Sequence, residues 1–236
     1  MIARPVARLI AVSVVLIAPL IAEENPPQVP VQQPQVELPR IILVGDFGDA
    51  VPENVVKVLE STAEQLLRHT PDRHLGTILV SPSLDAPISL FTKGPAGEYQ
   101  IRLTARGRSW AQYAYQFAHE LCHLLCNFEQ RKSGDKQWFE EALCETASLF
   151  AQKQLALSWD KSPPYSNWKS YSASFTHYVN DILARRDRRL PPELSFPEWY
   201  RGQSAALKQD RTSTERSQLV VAYLLPLFEH DPAGEA

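Results

Sequence analysis

Lys and Arg do not form a long basic stripe in this sequence. The 236 residues include 24 Lys and Arg against 27 Asp and Glu, which gives a net charge of −3. One short run of arginines, at residues 185–189, is interrupted by Asp187 and followed by prolines, a pattern typical of a solvated helix end. Because there is no basic stripe, we expect no nucleic acid as a partner.

The apolar stretch at residues 9–22 is shorter than a bilayer requires. A transmembrane helix needs about 20 apolar residues, whereas this stretch has 14 positions, including Ser13 and Pro19. Arg4 and Arg8 precede it, as in a secretory signal peptide. We predict a cleaved signal at residues 1–22, with an uncleaved membrane anchor as the alternative. In both cases the rest of the chain is exported, to the periplasm or the extracellular space.

Cysteine is scarce, with only Cys122, Cys126 and Cys144 in the chain. An exported protein with three cysteines has at least one without a disulfide partner. Cys122 and Cys126 lie four residues apart on one predicted helix, which is a poor geometry for a disulfide. A bridge from either one to Cys144 would lock two helices together. Buried thiols between packed helices are the favoured interpretation.

The remaining sequence predicts a linker followed by one α+β domain. Proline and glutamine dominate residues 23–39, which favours an extended spacer. Residues 40–236 form the predicted domain, a small mixed β-sheet followed by a helical half. Residues 93–97 predict a hairpin between the last two strands. The predicted strands are residues 40–45, 76–81, 88–92 and 98–104, and the predicted helices are residues 51–69, 110–127, 137–157, 172–185 and 214–228.

The predicted helix at residues 110–127 contains the sequence His119-Glu120-Leu121-Cys122-His123. Its two histidines are four residues apart, so both imidazoles project from one face and can reach a single Zn²⁺. Glu120 is placed to act as a general base on a zinc-bound water. A catalytic zinc takes three protein ligands and leaves a fourth position open. The sequence must therefore supply one more ligand.

The next predicted helix offers carboxylates for that third ligand. Seventeen residues separate His123 from Glu141, about right for an antiparallel return to the metal. We prefer Glu141 because Glu145 lies one turn beyond it and can accept a ring N–H from a zinc-bound histidine. The adjacent Glu140 is the alternative ligand, although its partner one turn later would be Cys144.

These two segments resemble the gluzincin metallopeptidases, the group that contains thermolysin and the aminopeptidase-N-like enzymes. Those proteins share HExxH, a Glu ligand on the next helix and a carboxylate one turn later that orients a histidine. The resemblance covers residues 117–147 and implies a zincin-like fold that binds Zn²⁺. The implied roles are His119, His123 and Glu141 as ligands, Glu120 as base and Glu145 as the orienting carboxylate. The resemblance also implies that the strand at residues 98–106 is a sheet edge that binds a peptide or protein substrate.

The predicted function is the hydrolysis of peptide bonds, in which Glu120 passes a proton from the zinc-bound water to the leaving amine. One alternative is a catalytically idle zincin-like domain that binds peptides or cell-envelope partners. Another is a structural domain in which zinc joins two helices. A structural site could also use Cys122 and Cys126, which share a stripe with the histidines. The resemblance further implies a Tyr or His that stabilises the oxyanion, for which the candidates are Tyr171, His177, Tyr178, Tyr200 and Tyr223.

Overall fold

The computed structural model describes residues 36–126, 137–185, 189–209 and 214–230. They belong to one compact unit that begins at Val36. The predicted signal or anchor at residues 1–22 and most of the predicted linker lie outside the described residues. The last four linker residues are described; among them Pro39 is buried and Val36 packs against the core. In the part of the chain that the structure describes, no helix has both the length and the apolar composition needed to cross a membrane.

Four short strands form one mixed sheet in the order β1-β2-β4-β3. The parallel pairs are β1 with β2 and β2 with β4, whereas β3 runs antiparallel to β4. The predicted hairpin between β3 and β4 is confirmed, and Gly97 in its turn has a φ of 87°, the left-handed region that favours glycine. The strands are β1 (Ile41–Leu43), β2 (Ile78–Pro82), β3 (Ile88–Leu90) and β4 (Tyr99–Leu103).

The prediction that residues 98–106 form the sheet edge is wrong. Within the described sheet, β4 lies between β2 and β3, and the edge on this side is β3. The physical reason is that β4 pairs in parallel with β2 along one side. Only its other side remains for the hairpin partner. The antiparallel strand β3 therefore takes the outer position.

Helices make up most of the remaining structure, and the predicted α+β class is confirmed. The sequence pattern does not predict α5, and it ends α3 four residues too early. A short 3-10 helix, Ser166–Tyr171, precedes α4. The α-helices are α1 (Pro52–Leu67), α2 (Trp110–Leu125), α3 (Gln137–Lys161), α4 (Ser172–Leu183), α5 (Phe196–Gln209) and α6 (Thr214–His230).

The helix α3 is central to the helical half, where it packs against α2, α4 and α6. Because it has neighbours on several sides, its buried residues are distributed around the helix and do not form a single stripe. Its buried hydroxyl groups are satisfied within the helix: Thr146 donates to the carbonyl of Ala142, and Ser148 donates to that of Cys144. This packing holds the first turns of α3 against α2.

The side chain of Gln116 joins α2 to the end of β4. Its amide oxygen accepts hydrogen bonds of 3.0 Å from the N–H groups of both Thr104 and Ala105. Its amide nitrogen donates to the Thr104 hydroxyl at 2.7 Å. Phe117 and Leu121, which follow on the same helix, are fully buried. The sheet and the core together therefore fix the orientation of α2, the helix that carries His119 and His123.

Candidate metal centre

The helices α2 and α3 bring His119, His123 and Glu141 together. One nitrogen from each imidazole and one oxygen of Glu141 all lie within 4.8 Å of one another. The histidines are one turn apart on α2, with their ring centroids separated by 5.0 Å. Glu141 comes from the beginning of α3. These three side chains could hold a metal ion.

Both histidines direct the same ring nitrogen toward Glu141. Nε2 of His119 is 3.3 Å from Oε2 of Glu141, and Nε2 of His123 is 3.6 Å from the same oxygen. Ligand atoms bound tetrahedrally to zinc at about 2.0–2.1 Å lie about 3.3 Å from one another. The spacing of these donor atoms therefore fits an ion of the size of zinc.

The second nitrogen of each histidine faces a different carboxylate. Nδ1 of His123 is 2.8 Å from Oε1 of Glu140, and Nδ1 of His119 is 3.8 Å from Oε2 of Glu145. Carboxylates at the outer nitrogens of metal-binding histidines fix the tautomer and the orientation of the ring. Glu145 thus lies beside a histidine, as the spacing predicts. Glu140, the alternative ligand, faces the outer nitrogen of His123, and the geometry favours Glu141 as the ligand.

Glu120 is buried next to these histidines, with 5% of its surface exposed. The Ser89 hydroxyl lies 2.9 Å from Oε2 of Glu120 and 2.8 Å from the backbone carbonyl of the same residue. Ser89 is itself buried and belongs to the edge strand β3. Its single hydroxyl proton is shared between these two oxygens, so Ser89 connects β3 to both the side chain and the backbone of Glu120. Sequence reasoning missed Ser89, because nothing near it in the sequence signals a contact 31 residues away.

Without a metal, the site favours protonated imidazoles beside ionised carboxylates. Burial alone lowers the pKa of His119, but the contacts with Glu141 and Glu145 and the charge of Glu120 outweigh it and raise the pKa to about 10. The pKa of His123 is also raised against the effect of burial, by Glu140 and Glu141. Burial raises the pKa of Glu141, but the two histidines outweigh this effect and hold it well below its usual range.

Metal binding at this site should therefore release protons. We expect the zinc affinity to rise between neutral pH and about pH 10, by up to about tenfold per pH unit for each proton displaced. Competition with a chelator of known pH dependence measures this slope, and calorimetry in buffers of different ionisation enthalpy counts the protons. Glu145→Gln removes one contact that raises the pKa of His119, so in this variant the rise in affinity should end at a lower pH. An affinity independent of pH would contradict the expectation.

Tyr178 is the oxyanion candidate that the structure connects with this site. Burial and the negative charge of Glu145 raise the pKa of Tyr178, so its hydroxyl stays protonated and can donate. Its ring lies 5.3 Å from that of Tyr115, which is one turn before His119 on α2. The other candidates have partners elsewhere: His177 pairs with Asp181, Tyr171 packs on Trp168, Tyr200 on Trp138, and Tyr223 on Phe196.

Comparison with protein-family models, with curated proteins and with solved structures finds no match to this chain. Function must therefore be inferred from the chemistry of the site.

The three cysteines form a group of their own. The Sγ atoms of Cys122, Cys126 and Cys144 lie within 4.8 Å of one another, and all three are free thiols. Among the described residues, Cys122 and Cys126 do not belong to one group of potential ligands with the histidines, as the alternative of a shared metal would require. In the described ranges, the potential ligands separate into one cysteine group and one histidine and glutamate group.

Proposed function

We propose that this chain is an exported zinc-dependent peptidase with a zincin-like, gluzincin-type site. The arrangement around Glu141 carries the proposal: one of its oxygens faces Nε2 of both His119 and His123, while two other carboxylates face their outer nitrogens. Two histidines and a glutamate are a typical ligand set of catalytic zinc, whereas structural zinc sites favour cysteine thiolates. A buried acid beside the ligands, Glu120, is needed for catalysis and not for structural binding.

The residues of the site divide the chemistry among them. His119, His123 and Glu141 would hold the zinc. When bound, the ion would polarise a peptide carbonyl and lower the pKa of a water molecule. Glu120 accepts the proton of the attacking water and then delivers it to the leaving amine. The side chains of His119 and Glu141 are 21% and 23% exposed, so a substrate can reach the site from solvent.

The edge strand β3 supports the binding of an extended peptide. Within the described sheet its outer side has no partner strand, and Ser89 connects it directly to Glu120. A substrate that adds to β3 through backbone hydrogen bonds would bring a peptide bond close to Glu120. Ile88, the first residue of this strand, and Phe91, which follows it, are 44% and 51% exposed and can contact apolar substrate side chains.

A mixed peptide library tests the proposed activity. The zinc-loaded protein should generate new peptide ends, detected by mass spectrometry. Cleavage should stop after chelation and return when zinc is restored. A protein that binds zinc through His119, His123 and Glu141 but cleaves nothing would overturn the peptidase function. Peptide binding without cleavage would then identify an idle binding domain. If the protein neither binds nor cleaves peptides, the zinc has a structural role and joins two helices.

Ser89→Ala should reduce catalysis without affecting the metal. The substitution removes the hydroxyl that contacts Glu120, and a hydrogen bond to a charged group contributes about 1.5–3 kcal/mol. If the loss of this hydrogen bond mainly disturbs the orientation of Glu120, kcat should fall by about tenfold or more. The zinc content and KM should stay close to those of the wild type. An unchanged kcat would show that Ser89 does not position the base.

We also infer that substrate cleavage takes place outside the cytoplasm. Residues 1–22, with Arg4 and Arg8 before the apolar stretch, support export through a signal peptide or a membrane tether. Expression of the full chain followed by cell fractionation and N-terminal sequencing tests this inference. A product that keeps residues 1–22 and stays in the soluble cytoplasmic fraction would contradict it.

A further inference from the structure

The cysteine group has the spacing of ligands on a common metal ion. Sγ of Cys122 is 3.9 Å from Sγ of Cys126, and Sγ of Cys144 completes a set within 4.8 Å. Thiolates bound tetrahedrally to zinc at about 2.3 Å lie about 3.8 Å from one another. Cys122 and Cys144 are buried and Cys126 is half-buried, so these three sulfur atoms converge in a region with little solvent.

The positions of the cysteines follow from an offset that is repeated on both helices. Cys122 on α2 and Cys126 at the C-cap of the same helix each come three residues after a histidine of the first site. On α3, Cys144 comes three residues after Glu141. Three residues turn an α-helix by about 300°, so each cysteine lies about 60° around its helix from the neighbouring histidine or glutamate. Two packed helices with this offset form two adjacent ligand groups, one with nitrogen and oxygen donors and one with sulfur donors.

A cavity of about 250 Å³ opens beside the cysteines. Cys122 and Cys126 line it together with His69, Thr70 and Arg73, and no ligand of the first site does. His69 lines the same cavity but does not belong to the group of cysteine ligand atoms that lie within 4.8 Å of one another. The Thr70 hydroxyl oxygen is buried and has no hydrogen-bond partner in the described part of the chain. Arg73 lines the cavity with Cys122 and Cys126, so a positive charge lies near these two sulfur atoms.

We propose that Cys122, Cys126 and Cys144 form a second metal site for a thiophilic divalent ion of the zinc class, with its fourth position on the side of the cavity. Cysteine thiolates are the typical ligands of structural zinc. An ion bound here would join α2 to α3 directly beside the first site. It would hold His119 and His123 opposite Glu141. The second site does not depend on peptidase activity, because its ligands are different side chains.

Cobalt substitution tests this site, because thiolate ligands give near-ultraviolet charge-transfer bands that histidine and glutamate ligands do not. The reduced wild-type protein should bind two Co²⁺ per chain and show these bands. His119→Asn should bind one Co²⁺ with the bands unchanged. Cys126→Ser, chosen because Cys126 is the least buried of the three, should lose most of the band intensity and keep Co²⁺ at the histidine site. His69→Ala, which changes the cavity wall and none of the three cysteines, should retain the bands.

Thiol alkylation of the wild type gives an answer even if Cys126→Ser does not fold. The metal-loaded protein should protect all three thiols. After a strong chelator has removed the ion, the half-buried Cys126 should react in the folded protein, and all three thiols should react once the chain is unfolded. Absence of charge-transfer bands from a wild type that has bound Co²⁺ at the histidine site would overturn the second site. A mass lower by two hydrogens with a single reactive thiol would also overturn it, because it would show a disulfide. If His119→Asn shows the bands, the cysteine site is present whether or not the wild-type protein cleaves peptides. If it binds no Co²⁺ and shows no bands, the cysteine site is absent, and the peptidase proposal is unaffected.

Discussion

Replacing Glu120 by glutamine should lower kcat by about 10²–10⁴-fold, the usual contribution of a general acid–base group. The glutamine keeps the size of the side chain and can still contact the Ser89 hydroxyl, which lies 2.9 Å from Oε2 of Glu120. It cannot accept the proton of the attacking water. Glu120 is outside the group of potential ligands in the described residues, so the zinc affinity should change little. Steady-state kinetics on a peptide identified in the library, together with the metal content, measure both effects.

Glu64→Gln provides a matched control. Glu64 forms an exposed ion pair with Arg68 on α1, at a distance of 3.0 Å, and such surface pairs contribute little to stability. This variant should retain wild-type kcat and zinc content. If Glu120→Gln cleaves the peptide as fast as Glu64→Gln does, Glu120 is not the general base.

Replacing Glu141 by glutamine should weaken zinc binding far more than the same change at Glu140. One Glu141 oxygen lies 3.3 Å and 3.6 Å from the Nε2 atoms of the two histidines, so Glu141→Gln removes the charged ligand. Glu140 faces the outer nitrogen of His123, at 2.8 Å from Nδ1. Loss of a carboxylate that orients a ligand typically costs about 10- to 100-fold in metal affinity. Glu140→Gln should remain in that range, and Glu141→Gln should exceed it.

The two variants form a natural pair, since they change adjacent residues in the same chemical way. Zinc titration against a competing chelator measures both affinities, and far-ultraviolet circular dichroism verifies the helix content. To isolate the first site, both variants are best compared in the background of Cys126→Ser. If Glu140→Gln loses more affinity than Glu141→Gln, the two glutamates have exchanged roles and the assignment of the ligand is wrong.

Local sequence patterns predict the elements of the site because the relevant spacings lie within single helices. The one-turn separation of His119 and His123 follows from helical geometry alone. The same spacing relates Glu141 to Glu145, and the structure brings Glu145 to His119. Helical spacing does not show whether Glu140 binds the metal or orients a histidine. Each imidazole has two nitrogens, and the sequence does not show that Nδ1 of His123 faces one glutamate while Nε2 faces the next one along the chain.

Contacts between distant parts of the chain could not be predicted in the same way. The alternation of apolar residues indicates β4, but it does not indicate which strands lie on its two sides, because strand order depends on non-local pairing. The contact between Ser89 and Glu120 depends on that order, since it requires β3 at the edge beside α2. The helix α5 contains Pro197 and Gly202 and buries only Trp199 and Leu207. Its helical pattern is therefore weak.

A crystal structure of the zinc-loaded protein, with anomalous differences measured at the zinc absorption edge, tests the central claim most directly. We predict an anomalous peak about 2.0–2.2 Å from Nε2 of His119, Nε2 of His123 and a carboxylate oxygen of Glu141, with Glu140 and Glu145 at the outer ring nitrogens. A zinc-loaded crystal without a peak among these three side chains would contradict the claim. A peak coordinated by Nδ1 in place of Nε2 would contradict the assigned geometry.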